Sequence, residues 1–230
     1  GAQADAAAPA SGLHRRLLQG RPAARHQRHG RGPCHGSVEA RLADVGLRAA
    51  VGHEIAFLLV APDGSRLPGT LWAQYGLAGV LEYEGFVADV LEAAGAAGVD
   101  IEQFHPEYGV NQFEISLAPL TPVAAADQLV LIRILVGRVA RSHGLRVSLS
   151  PVPFAGSVGC GAHQHFSLQR HGAPLFSGGS GAHGMSADGA AAVAGILAGL
   201  PEAQSVLAGS IVSGLRLRPG PRRVAGRRPQ

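Results

Sequence analysis

Two glutamates, Glu107 and Glu114, bracket a turn-prone Tyr108-Gly109-Val110-Asn111 inside segments that otherwise read as apolar strands. This strand–turn–strand unit constrains the chain more than any other stretch. Two carboxylates that close together are costly to bury unless something positive lies between them. A divalent metal is the usual answer, and oxygen ligands favour a hard ion such as Mg²⁺ or Mn²⁺. Taken alone, the segment also suits two exposed acids on edge strands.

The surrounding sequence predicts an ordered body that begins near Val38, with a short helix over 38–50. His53-Glu54-Ile55-Ala56-Phe57-Leu58-Leu59-Val60 reads as a buried strand, stopped by the turn Ala61-Pro62-Asp63-Gly64. Residues 84–97 space their apolar groups as a helix ending at Gly98. Strands are expected at about 100–106 and 112–118. A long helix follows over 123–143, with Pro122 in its first turn and its apolar face formed by Leu129, Ile132, Val136, Val139 and Ala140. Strands at 145–150 and 161–168, a polar turn at 169–174 and helices at 187–199 and 201–215 complete the reading. The glycine-rich loop 177–184 has no lysine to meet a phosphate, so it is not a P-loop. Antiparallel-looking strands with separate helices argue an α+β fold.

Charge divides the chain into a body and two ends. Residues 1–35 carry six arginines against Asp5 alone, and residues 216–230 carry six more with no acid. Of the 20 basic and 16 acidic residues, that leaves 8 and 15 in the middle, so the body is acidic. Basic ends can bind nucleic acid. These ends, however, lack an apolar period and aromatics for base stacking, and the chain has no lysine at all. Disorder, or translation of GC-rich coding in a shifted frame, is the preferred reading for 1–37 and 221–230, with no nucleic acid as partner. Neither Cys34 nor Cys160 belongs to a C-x-x-C pair, which argues against zinc and redox sites. No signal peptide and no run of membrane-spanning length is read, so no membrane partner and a cytoplasmic protein are expected.

A second cluster lies in Gly159-Cys160-Gly161-Ala162-His163-Gln164-His165-Phe166-Ser167-Leu168. On a strand, His163, His165 and Ser167 share one face, and Gln164, Phe166 and Leu168 take the other. Imidazoles and a hydroxyl on one face suit the floor of a metal or phosphate site, although a strand histidine pair can also be simply exposed.

The two clusters, in this order and separated by a long helix, resemble the catalytic domain of the glutamine synthetase family from about Val45 to Gly220. The resemblance rests on several motifs together. They are Gly52-His53-Glu54-Ile55, Phe104-His105-Pro106-Glu107 with Gln112-Phe113-Glu114-Ile115, Ser150-Pro151-Val152-Pro153, Gly159 to Leu168, Pro174-Leu175-Phe176-Ser177-Gly178, and Leu215-Arg216-Leu217-Arg218-Pro219-Gly220. Their flavour is closer to the branch that includes γ-glutamylpolyamine synthetases than to the housekeeping ammonia-fixing enzymes.

The resemblance implies a curved antiparallel sheet flanked by helices, with ATP and glutamate entering opposite ends of a funnel and two divalent ions between them. It implies phosphoryl transfer to give γ-glutamyl phosphate, from which ammonia or an amine displaces phosphate. By position, Glu107 and Glu114 resemble ligands of the first ion, and Glu54 and His163 ligands of the second. Glu102, His165 and Ser167 match positions around the nucleotide. Gly159 and Arg216 match positions that receive glutamate. The family assembles into rings, which this chain is not required to share.

The sequence also departs from the family pattern. Ala56 stands where the family has a second carboxylate, two residues after Glu54. Val110-Asn111 replaces a Pro-Gly, and Asn tolerates the positive φ such a turn needs. Val158 stands where housekeeping members carry an Asn that contacts glutamate. The Trp-Gly segment and the arginine-rich stretch expected after Gly220 are not read, nor is the small N-terminal β-domain. The expectation is therefore a partial catalytic domain over 38–220 with impaired turnover. The alternative is a non-catalytic metal- or nucleotide-binding remnant.

Overall fold

A computed structural model describes residues 33–69 and 71–216. Most of the Arg-rich 1–37 segment, the tail 221–230 and residues 217–220 of the last motif lie outside the described residues. Helix α1 (Pro33–Asp44) starts ahead of the expected boundary at Val38, with Pro33 suited to a first turn.

After α1 the chain enters β1 (Leu47–Val60), then α2 (Leu77–Glu82), α3 (Glu84–Ala96), β2 (Ile101–Pro106), β3 (Gln112–Leu117), α4 (Pro122–Ser142) and β4 (Arg146–Ser148). There follow β5 (Ala162–Arg170), β6 (Ala173–Pro174), α5 (Ala187–Leu207) and α6 (Ser213–Arg216). The α+β architecture is the expected one. A curved antiparallel sheet runs in the order β2-β3-β1-β5-β6, and β4 pairs with the end of β1 beyond β5.

The faces of this sheet differ because β-strand side chains alternate. Ile55, Phe57 and Leu59 of β1 and Phe113, Ile115 and Leu117 of β3 point to one side and are buried. There they meet Phe86, Val87, Val90 and Ala94 of α3 and Ile132, Val136, Val139 and Ala140 of α4, forming one core. Phe57 stacks on Phe113 at 6.1 Å, with the edges of Phe86 and Phe104 against it. The α4 face matches the expected one. Its N-terminus is held by Glu39 of α1, whose Oε1 accepts from the Val123 N–H at 2.9 Å. A carboxylate there both satisfies an orphan amide and faces the positive end of the helix.

Three readings of local structure are corrected. Strand β1 begins at Leu47, inside the expected helix 38–50, because residues 47–55 pair along β5 from Leu47↔Arg170 to Ile55↔Ala162. Pairing with a distant strand overrides the helical preference of Leu, Arg and Ala there. Helix α2 was not anticipated. The helices expected at 187–199 and 201–215 are instead one 21-residue helix, α5, continuous through Pro201, followed by the short α6. By length and composition α5 is apolar enough to cross a membrane, with a hydropathy of 1.4, against the expectation that no run reaches that length.

Candidate functional site

The opposite face of the sheet is polar. Strand β1 contributes Glu54 and Ala56, β3 contributes Gln112, Glu114 and Ser116, and β2 contributes His105. From β5, His163 pairs with Glu54 and His165 with Gly52. The predicted alternation along β5 thus places His163 and His165 beside Glu54. Phe166, expected on the other strand face, is 39% exposed and packs against Phe176 at 5.5 Å.

Two clusters of possible metal ligands form on this face. In the first, Glu54 Oε2 accepts from His163 Nδ1 at 3.0 Å and lies 3.2 Å from His165 Nε2, while Ser116 Oγ lies 3.5 Å from Oε1. Burial opposes ionisation of Glu54, but its bonds to the two imidazoles outweigh this and hold the carboxyl below its ordinary value. In the second, His105, Glu107 and Glu114 converge in the hairpin between β2 and β3. Within each trio, one ligand atom per residue lies within 4.8 Å of the others. Burial, then the charges of Glu107 and Glu54, push the Glu114 carboxyl upward. Crowded half-buried carboxylates of this kind, joined by imidazoles, form a donor set that fits a divalent cation.

The loop between the acids is tightly specified. Asn111 takes φ 65°, so the turn survives the departure from Pro-Gly. Its Oδ1 accepts from Tyr83 Oη at 2.9 Å, and its Nδ2 donates to the Pro68 carbonyl at 3.3 Å. Trp72 Nε1 donates to the Glu107 carbonyl at 2.8 Å. Gln112 is 1% exposed. Its Oε1 accepts from the Gly109 N–H at 2.9 Å, and its Nε2 donates to the Gly159 carbonyl at 3.0 Å. One buried amide therefore ties the Glu107 loop to the Gly159 loop.

Glu102, His165 and Ser167 line a cavity of about 310 Å³, together with Gly52, His53, Glu54 and Ser116. Strict alternation from His105 would turn Glu102 toward the core. A register shift between Ile101 and Gln103 breaks that alternation, as a β-bulge does, and Glu102 lines the cavity instead. His53 was not among the predicted residues. Its Nδ1 is buried with no hydrogen-bond partner among the described residues. Burial lowers its pKa, against the opposing effect of a hydrogen bond with Gln164.

Gly159 and Arg216 come together at the other end. A Cβ on Gly159 would stand 2.6 Å from the Pro151 carbonyl and 3.0 Å from Arg216 Cδ. One on Gly161 would stand 2.7 Å from Arg216 Nη2 and 3.3 Å from His163 Nε2. The missing side chains leave the guanidinium its place beside His163. A second cavity of about 200 Å³ is lined here by Ala56, Cys160, Gly161 and Arg216. Burial pushes the Cys160 thiol up, so it is a poor nucleophile. Ala56 is buried with Leu58, Val60 and Cys160 in a small apolar patch.

Sequence reasoning missed His105, Gln112 and His53 as parts of this site. The signal for His105 was present, since residues 105 and 107 share a strand face. Gln112 left no local sign, because its partners at 159 and 160 are remote in sequence.

Comparison with known proteins identifies the family of the fold. The family described as "Glutamine synthetase, catalytic domain" matches residues 35–224. The chain is 46% identical over 153 residues to the gamma-glutamylpolyamine synthetase GlnA3 of Streptomyces coelicolor, covering 66% of this chain and 33% of that protein. It is 29% identical over 147 residues to the glutamine synthetase of Pyrococcus abyssi, covering 63% of this chain and again 33% of the relative. The chain thus spans about a third of the length of these curated relatives. Among solved structures, a novel glutamine synthase homologue superposes with a TM-score of 0.74 at 35% identity, over 80% of this chain and 43% of the other. A GmaS/ADP complex superposes with a TM-score of 0.73 at 28% identity, over 80% of this chain and 44% of the other.

Proposed function

The chain belongs to the glutamine synthetase family through its catalytic domain, and from that premise we propose that it serves an ATP-dependent ligase joining the γ-carboxylate of glutamate to ammonia or an amine. The observation that carries the reading is the order of parts along one sheet face. The cavity with Glu102, His165 and Ser167 lies at one end, the carboxylate–imidazole clusters in the middle, and Arg216 with Gly159 at the other.

The parts divide the chemistry as follows. The 310 Å³ cavity takes the nucleotide, with His165, Ser167 and Glu102 as its polar contacts. A GmaS relative in complex with ADP supports a nucleotide at this fold. Arg216 receives a carboxylate of glutamate by a charge-assisted hydrogen bond, and Gly159 leaves room for the substrate. The γ-phosphoryl of ATP then moves to the γ-carboxylate oxygen, releasing ADP. The amine nitrogen next attacks the acyl carbon, phosphate leaves with the C–O bonding pair, and the amine gives up a proton. Glu107 and Glu114 would hold one Mg²⁺ or Mn²⁺, and Glu54 with His163 another. Divalent ions so held neutralise the charge that develops on the transferred phosphoryl group. The similarity to a gamma-glutamylpolyamine synthetase favours a polyamine among the acceptors. The reading requires neither a nucleic acid nor a membrane.

Ala56 supports a second reading, a non-catalytic member that still binds metal or nucleotide. It lies across from Glu114 and offers a methyl group where a carboxylate could complete the cluster. One experiment separates the two readings. ADP release is measured with ATP, Mg²⁺ or Mn²⁺, glutamate and a panel of amines, beside a Glu107→Gln control. Turnover that requires glutamate and is lost in the control supports the ligase. Nucleotide binding by the folded chain without turnover supports the second reading.

A further inference from the structure

Glu114 has a cross-strand neighbour on each side, Ala56 on β1 and His105 on β2. Ala56 carries no donor atom, so of the two residues directly opposite Glu114 it is His105 that offers a third ligand to an ion held by Glu114 and Glu107. The ring is placed for it. Its Nδ1 lies 3.9 Å from Glu107 Oε1 and its Nε2 3.8 Å from Glu114 Oε1. Both separations are too long for hydrogen bonds. A single ring nitrogen can ligate one ion: the Nε2–Glu114 spacing fits two atoms bound to it, since ligand bonds of about 2.1 Å allow a donor–donor spacing up to about 4.2 Å, and one ligand atom from each of His105, Glu107 and Glu114 lies within 4.8 Å of the others.

The ring is also held in place. The Tyr75 ring packs against it in a T-shaped contact at 4.9 Å, and the Tyr75 N–H bonds the Pro106 carbonyl at 3.0 Å. His105 Nδ1 lies 3.4 Å from that same carbonyl. With the proton on Nδ1 aimed there, the Nε2 lone pair faces Glu114. A carbonyl behind the ring is how ligating histidines are commonly oriented.

We propose that His105 is the third protein ligand of the divalent ion held by Glu107 and Glu114. This rests on the reading of those two glutamates as metal ligands. An imidazole among two carboxylates lowers the negative charge of the set and adds a nitrogen donor. Such a set favours Mn²⁺ over Mg²⁺ more strongly than an all-oxygen set does.

The test uses the full chain, Mn²⁺ alone as probe, and electron paramagnetic resonance to read both affinity and nitrogen coupling. In a His163→Asn/His165→Asn background, nitrogen coupling to bound Mn²⁺ is expected to persist. Adding His105→Ala should remove that coupling and weaken this site about tenfold or more. Adding Ala56→Glu to that chain, which places a carboxylate opposite Glu114, should recover affinity without the nitrogen signal. His105 is partly exposed and makes no short hydrogen bond, so thermal melts of the variants should match their background. If Mn²⁺ binding depends on Glu107 (lost in Glu107→Gln) but shows no nitrogen coupling and does not respond to His105→Ala, His105 is not a ligand and the reading of the glutamates stands. If binding is indifferent to Glu107→Gln, that reading falls and this proposal with it.

Discussion

The two carboxylate–imidazole clusters sit on neighbouring strands of one sheet face, yet they manage charge in opposite ways. Glu54 is bonded to two histidines at 3.0 and 3.2 Å that are 52% and 65% exposed. Its charge is satisfied within the protein and in contact with water. His105, Glu107 and Glu114 are 19%, 13% and 12% exposed, and no contact joining His105 to either acid is closer than 3.8 Å. That cluster holds its charges apart in a drier place. The comparison teaches that similar residue types form a closed hydrogen-bonded group on an open strand, and a spaced set of donors inside a hairpin.

The largest test of this contrast is metal itself. Mn²⁺ at about 100 times its dissociation constant should stabilise the chain by about 2.7 kcal/mol, read as a shift of the urea midpoint. Glu107→Gln should remove most of this gain, and Glu54→Gln a smaller part. A gain that survives Glu107→Gln would contradict the assignment of the hairpin cluster as the better-formed site.

Gln112→Ala comes next. It strips the partners of the Gly109 amide and the Gly159 carbonyl and should cost about 1–3 kcal/mol in urea unfolding. Hydrogen exchange at Gly109 should accelerate, while the amides of β5 stay protected.

The pH dependence of the metal-free chain is smaller and separates the clusters by sign. Glu114 has a raised folded pKa, so the folded state binds protons that the unfolded state releases, and its contribution falls as pH rises from the ordinary glutamate value through the raised one. Glu54 has a lowered folded pKa, so its contribution is present above the ordinary value and is lost as pH falls through the depressed one. Melting curves in EDTA should therefore respond oppositely: Glu114→Gln removes a loss on the neutral side, and Glu54→Gln removes a loss on the acid side. Equal slopes in both variants would refute the difference between the clusters. The smallest effect is a surface control. Arg170→Ala breaks the exposed pair with Asp188, remote from the hairpin, and should change stability by less than about 1 kcal/mol.

Much of this architecture was legible in local sequence. The hairpin of Glu107 and Glu114 could be read from turn residues between apolar runs, and α4 from its apolar spacing and Pro122. The shared face of His163 and His165 followed from strand alternation. What escaped depends on contacts far along the chain. The start of β1 at Leu47 is dictated by β5, more than a hundred residues away, and overrides a helix-like composition. The bulge after Ile101 that turns Glu102 into the cavity arises from the pairing of β2 with β3. The continuity of α5 through Pro201 was misread because proline inside a helix normally marks a boundary. His105 was visible as a residue but not as a partner, because its role depends on what stands opposite Glu114.

The Gln112 amide is, mechanically, a pin through two loops. With one end on Gly109 and the other on Gly159, neither loop can swing without dragging its neighbour. A displacement of the Gly159 loop is thereby transmitted, through one side chain, to the turn that carries Glu107.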